Sequence, residues 1–210
     1  MFENKELNLS YIQERFIKPS DLQNPLPDEL FENFEQPELF SSRFVLEPIT
    51  ESHKVELYQF FNDLELYHYV PLDPPTIEQL EKRCARWVTR RSPDGEELWL
   101  NWAARDNQNK EIVAHIQGGL TRDRLASIGY VVGQKFQKKD VATECLEVVF
   151  LYLDKVLQVK EIKARSDTRN KAAHRVAKKL GMVQVELIKS ADFFKGITSD
   201  EYVFSKVFRK

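Results

Sequence analysis

The hydrophobic pattern of this chain changes period once, abruptly, and that change limits the folds open to it. Between residues 97 and 133 the stretches ELWLNWAARD, EIVAHIQGGL and LASIGYVVG read as successive strands, separated by the polar turns DNQNK and TRDR. From Val141 to Leu157 apolar residues instead fall at 141, 142, 145, 146, 148, 149, 152, 153, 156 and 157, which is a wide helical stripe. Strands joined by such short turns pair antiparallel. A helix after the third strand then carries the chain across to a further strand.

The flanking text extends this order. SRFVLEPI reads as a strand closed by Pro48, and residues 51–63 (ESHKVELYQFFND) carry helical apolar spacing at Val55, Leu57, Phe60 and Phe61. Thr76 with Gln79 resembles a capping box opening a second helix through Arg90, and Pro93, Asp94 and Gly95 mark a turn. After the long helix come a strand (EIKARS), a helix (KAAHRVAKKLG) ended by Gly181, and two last strands (MVQVELIK and DEYVFSKVF). The order β-α-α-β-β-β-α-β-α-β-β predicts an α+β fold, with a central mixed and mostly antiparallel twisted sheet flanked by helices.

Residues 1–39 differ in character. They hold nine acidic against three basic side chains, four of the nine prolines and no glycine. They read as an acidic N-terminal extension before a domain at 40–210. A short helix and an extended strap would bury Tyr11, Phe16, Phe31 and Phe34; a disordered tail is the alternative. Such an extension would cover a cleft or form a homodimer interface.

The remaining residues carry 28 basic against 24 acidic side chains under a net charge of −2. That excess is too mild to predict a nucleic-acid partner, but it suits a site for a phosphorylated cofactor. No apolar run approaches a membrane span, and the start lacks the order of a signal peptide, so a cytoplasmic protein with no membrane partner is expected. Cys84 and Cys145 fall within helical patterns and read as buried thiols. His53, His68, His115 and His174 lack paired ligand spacing, so no metal is expected.

Four phrases, SRFVLEPITESH, IGYVVGQKFQKKDVATECL, TRNKAAHRVAKKLGM and DEYVFSKVF, resemble those of the GNAT superfamily of N-acetyltransferases, and within it the branch that acetylates ribosomal-protein N-termini. The resemblance spans roughly residues 40–208. It implies acetyl-CoA as co-substrate, and an amine acceptor, either a protein N-terminus or a small molecule.

In that family a turn of the form Gln/Arg-x-x-Gly-x-Gly/Ala presents the free amides of a helix's first turn to the diphosphate, where the helix dipole favours an anion. The matching residues here are Gln137, Lys138, Lys139, Asp140, Val141 and Ala142, followed by Thr143. Asp140 replaces a glycine. Aspartate tolerates left-handed backbone angles, but two unit charges about 5 Å apart repel by roughly 3 kcal/mol at an effective dielectric near 20. Lys138 and Lys139 would offset part of that. In the other reading, Asp140 caps the helix and its side chain occupies those amides itself.

By the same resemblance, the backbone of Tyr130, Val131 and Val132 would hold the pantetheine arm and the acetyl carbonyl. Asn170 would contact the cofactor or simply cap its helix, and Arg175 would serve the phosphates. Ala173 stands where the family has a serine that protonates the leaving thiolate.

The implied chemistry is direct attack of an amine on the thioester. An α-amine with a pKa near 8 is substantially neutral at pH 7.5, roughly a quarter of it, whereas a lysine amine is only about 0.1% neutral there, which favours α-amines or small amines. His115, Tyr130 and Glu97 are the candidates for a base or proton relay, each with a packed, structural alternative. By the same resemblance, the variable helices and loops around 51–95 and 190–200 would select the acceptor. Asp140 and Ala173 together leave a second possibility, a GNAT-like domain impaired in transfer that binds another ligand or a partner.

Overall fold

A computed structural model describes residues 25–208. The strand-forming segments align in one eight-stranded sheet. Its members are β1 (Leu39–Phe40), β2 (Phe44–Pro48), β3 (Glu97–Asp106), β4 (Ile112–Thr121), β5 (Leu125–Val132), β6 (Glu161–Asp167), β7 (Val183–Phe194) and β8 (Ile197–Val207), in the order β1-β2-β3-β4-β5-β6-β8-β7. All neighbours run antiparallel except β5 and β6, the pair that the crossover helix joins. The helices are α1 (Asp28–Glu32), α2 (Lys54–Phe61), α3 (Ile77–Val88), α4 (Val141–Lys155) and α5 (Lys171–Lys179). This is the α+β, mostly antiparallel mixed sheet that the period change implies.

Each face of the sheet has its own core. On one face α4 buries Val141, Ala142, Cys145, Leu146, Val149, Phe150 and Leu153 against Trp102, Ile116, Ala126 and Ile128. Each large apolar side chain so buried contributes about 1.5–3 kcal/mol. On the other face α2 and α3 set Leu57, Phe61, Leu80 and Cys84 over Ile49, Ala103 and Ile112. Both cysteines are buried free thiols. The expected capping box closes at Thr76, whose hydroxyl accepts from Gln79 N while the Gln79 side chain accepts from Thr76 N.

Part of the acidic N-terminal stretch is built into this core. Leu30 and Phe31 of α1 are buried, Gln36 exchanges two hydrogen bonds with the backbone of Asn101, and Trp102 Nε1 donates to Pro37 O at 2.9 Å. Leu39–Phe40 then adds a strand to β2. Tyr11 and Phe16 lie outside the described residues. The C-terminal pair also departs from the sequence reading: β7 and β8 run on as one long hairpin through residues 190–200, expected to be a loop, with a register shift between Ile188 and Asp192.

Candidate active site

The site begins where two strands part. β5 and β6 pair only through Leu125–Glu161, Ala126–Ile162 and Ser127–Lys163, whereas β4 follows β5 as far as Val132 and β8 follows β6 as far as Asp167. Beyond Ser127 the sheet opens between β5 and β6, and Tyr130, Val131 and Val132 border that opening with backbone groups that no strand satisfies on that side.

The turn that follows feeds α4. Lys138 and Asp140 both take left-handed backbone angles (φ 61° and 58°), an arrangement that non-glycine residues rarely adopt and aspartate tolerates. Asp140 occupies the N-cap position of α4, yet its side chain accepts no hydrogen bond from the helix. This overturns the reading in which Asp140 blocks the first-turn amides. Its carboxylate turns outward and meets Lys179 Nζ of α5 at 2.5 Å, and that ammonium holds the carboxyl below the usual carboxylate range. The charge expected to oppose a diphosphate is therefore paired, by a lysine that is not among the residues the resemblance singles out. No local signal links the two, since 39 residues separate them. Arg175 is an exposed residue of α5.

Three further bonds fix the turn. Gln137 Nε2 donates to Val132 O at 3.2 Å. Arg43 Nη2 donates to Lys139 O at 3.0 Å, and Arg43 Nε to Glu144 at 2.7 Å. Glu144 also accepts from Arg43 N and Ser41 Oγ. Burial raises its pKa, but these bonds outweigh burial and leave it lowered. The brace of Ser41, Arg43 and Glu144 was not read from the sequence, because it joins the first strands to a helix a hundred residues on.

In the first turn of α4, Thr143 Oγ1 is buried with no hydrogen-bond partner among the described residues. Such a hydroxyl costs stability unless something satisfies it. With uncapped amides beside it and Lys138 and Lys139 next to it in the turn, the residues present fit a diphosphate. At the start of α5, Asn170 Oδ1 accepts from Ala173 N at 3.1 Å, so Asn170 is the N-cap of that helix. Its turn is anchored by Asp167, which Arg169 and then Ser199 hold in the charged form against the effect of burial.

The three proposed proton-transfer residues are not brought together. Tyr130 and His115 point to opposite faces, since Tyr130 pairs in register with Ile116, the neighbour of His115. Burial pushes the Tyr130 phenol up to about 12, so it is a hydrogen-bond donor at neutral pH and not a base. His115 is enclosed on the α2–α3 face between the rings of Phe61 (5.5 Å) and Trp87 (4.8 Å), with Nε2 3.3 Å from Asn101 Oδ1. Burial, reinforced by the charge of Arg83, pushes it down to about 3. A proton there is too costly for His115 to serve as base. Glu97 pairs with Thr121, level with Leu125, five residues along the sheet from Tyr130, or about 17 Å. It stands at the closed end of the strands, away from the opening.

A parted parallel strand pair thus lies beside a helix whose first-turn amides are uncapped among the described residues, an arrangement able to receive an anion. A family model described as the acetyltransferase (GNAT) domain matches residues 43–183. The chain belongs to the GNAT acetyltransferase family, whose members are acyltransferases. Comparison with curated proteins finds no match.

Among solved structures, the ribosomal-protein-S5-alanine acetyltransferase from Vibrio fischeri superposes with a TM-score of 0.72 at 19% identity, covering 82% of this chain and 97% of the other. A GNAT-family acetyltransferase from Bacillus anthracis gives 0.70 at 18%, covering 81% and 98%. The ribosomal L7/L12 alpha-N-protein acetyltransferase RimL, solved in complex with coenzyme A, gives 0.70 at 16%, covering 80% and 95%. At these identities the likeness is one of fold.

Proposed function

We propose that this protein transfers the acetyl group of acetyl-CoA to a primary amine, and that the amine is the N-terminus of a polypeptide. The observation that carries the reading is the strand opening beyond Ser127–Lys163 set beside α4, whose first turn no side chain caps among the described residues. The first-turn amides at Val141, Ala142 and Thr143 hold the diphosphate, assisted by the dipole of α4, with Gln137, Lys138 and Lys139 shaping and charging the turn.

Acetyl-CoA supplies an activated thioester. The backbone of Tyr130–Val132 aligns the acetyl carbonyl in the opening and offers N–H groups to the oxygen that gains charge as the amine attacks. The new C–N bond forms as the C–S bond breaks, and the sulfur leaves as thiolate. With Ala173 in place of a hydroxyl, the Tyr130 phenol, kept protonated by burial, is the available hydrogen-bond donor to the departing thiolate, which takes its proton from water. The amine sheds its proton to water, which an α-amine with a pKa near 8 can do without a strong base.

Two observations support a polypeptide acceptor. The segment after α2 exposes Leu64, Val70 and Leu72 and the β7–β8 hairpin exposes Phe193 and Ile197, which together would form an apolar rim for an acceptor chain. The Lys195 ammonium donates to Tyr67 O and ties the two sides together. Solved structures of this fold are named for acetylating ribosomal proteins, RimL as an alpha-N-protein acetyltransferase. No described helix is long and apolar enough to cross a membrane, in keeping with a cytoplasmic acceptor. A free-thiol assay with acetyl-CoA and N-terminally free against N-terminally blocked peptides tests the proposal. Thiol release that needs the free terminus supports it; release with neither peptide overturns it.

A further inference from the structure

Arg83 belongs to α3, and among the described residues it forms no ion pair. It precedes Trp87 by one turn of α3, so both side chains share a helix face, and the Trp87 ring rests on His115, which pairs in register with Val131 at the strand opening. Arg83 is half-buried. Its charge acts on two groups: on His115, whose pKa falls chiefly through burial and further through Arg83, and on Tyr67, which burial raises and Arg83 opposes. Arg83 is thus close enough to both the buried histidine and Tyr67, in the segment after α2, for its charge to reach them.

Three further cations on this side are engaged. Arg169 pairs with Asp167 at 2.5 Å, Lys195 donates to Tyr67 O, and Arg90 donates to the Trp87 and Ile49 carbonyls. The nearby anions are Asp63 and Asp73, which act on Tyr67; Asp63 accepts from Glu65 N. Among the described residues neither forms an ion pair with Arg83, and no hydrogen bond involves its guanidinium. A half-buried guanidinium gives up part of its hydration, and its planar fork of donors fits a carboxylate in two-point contact.

We infer that Arg83 selects the acceptor: the polypeptide N-terminus acetylated here carries an aspartate or glutamate among its first few residues, whose carboxylate Arg83 receives while the chain beyond it lies on the rim of Leu64, Val70, Leu72, Phe193 and Ile197. This rests on the proposed acetylation of a polypeptide terminus. A hydrogen-bonded contact to a charged group is worth roughly 1.5–3 kcal/mol, which sets a discrimination of roughly 10- to 100-fold against an uncharged isostere.

The test is calorimetric titration of the full-length protein, saturated with coenzyme A so that no turnover intrudes. The ligands are short peptides identical except for aspartate or asparagine at the second or third position, together with free aspartate. The aspartate peptide should bind roughly 10- to 100-fold tighter than its asparagine twin, R83Q should shrink that ratio to within about threefold, and R83K should keep part of it. A melting curve of R83Q matching wild type shows that the variant is folded. Equal binding of the two peptides by wild type, or a ratio unchanged in R83Q, overturns the inference; free aspartate binding as tightly as the peptide overturns its polypeptide half. Because the titration reads binding alone, a failure of acetyl transfer to every peptide would strike the proposed reaction and leave this result to stand by itself.

Discussion

Asp140 and Lys179 come from different helices, 39 residues apart, and meet at 2.5 Å beside the first turn of α4. The pair explains how a carboxylate is tolerated where an anion is to bind. Removing only the lysine should leave Asp140 unneutralised next to the diphosphate site. K179A is expected to weaken acetyl-CoA binding by about tenfold, a loss of the size expected from one exposed counter-charge near a phosphate. D140G should bind at least as tightly as wild type, and the double variant should return close to it. A K179A affinity equal to wild type would show that the pair does not shield the site.

Thr143 offers a separable readout. Its hydroxyl is buried and unsatisfied, so T143V replaces it with a shape-matched apolar group and should leave the melting temperature unchanged or raise it. If the hydroxyl meets a phosphate oxygen, the same variant should lose roughly fivefold to tenfold in acetyl-CoA affinity. Stability falling together with affinity would mean that the hydroxyl has a partner within the protein.

The brace from Arg43 to Glu144 and to Lys139 O holds the turn from outside. E144Q keeps the shape but removes the charge that gathers Arg43 and Ser41. It is expected to lower acetyl-CoA affinity about threefold and to destabilise the fold by about 1 kcal/mol, since the pair is only partly buried. Parallel titration and thermal melts measure both.

His115 makes stability depend on pH with a defined sign. Its folded pKa, about 3, lies below the ordinary 6.5. Between those values the unfolded chain binds the proton and the native protein does not, so its contribution is full above about pH 6.5 and lost as pH falls toward 3. The slope approaches roughly 1.4 kcal/mol per pH unit for this one group. H115Q should flatten that part of the stability profile. The pH profile of kcat/KM should follow the acceptor amine in both proteins, whereas an inflection that disappears with H115Q would restore His115 as a base.

Much of the framework can be read from residue order because it is carried by local periodicity. The meander from Glu97 to Val132, the stripe of α4, the Thr76–Gln79 box and the glycine stop at Gly181 (φ 73°) each follow from neighbours in sequence. Tyr130, Val131, Val132 and the turn from Gln137 to Thr143 come together for the same reason, being contiguous. What escaped was non-local or depended on depth. Lys179 is chosen by where α5 ends, and the Ser41–Arg43–Glu144 brace by how β2 lies against α4. Glu97 is far from the opening because register, not composition, sets its level in the sheet. His115 looked suited to catalysis until Phe61 and Trp87 were seen to close over it.

The account stands on the uncapped amides that open α4, and the most direct measurement is the titration of the full-length protein with acetyl-CoA and, in parallel, with acetyl-pantetheine, which lacks the nucleotide and its diphosphate. Tight binding of acetyl-CoA together with a loss of about a hundredfold or more for acetyl-pantetheine is predicted, since the diphosphate makes several charge-assisted hydrogen bonds at the helix start. Equal affinity for the two ligands, or no heat with acetyl-CoA at millimolar concentration, would contradict it.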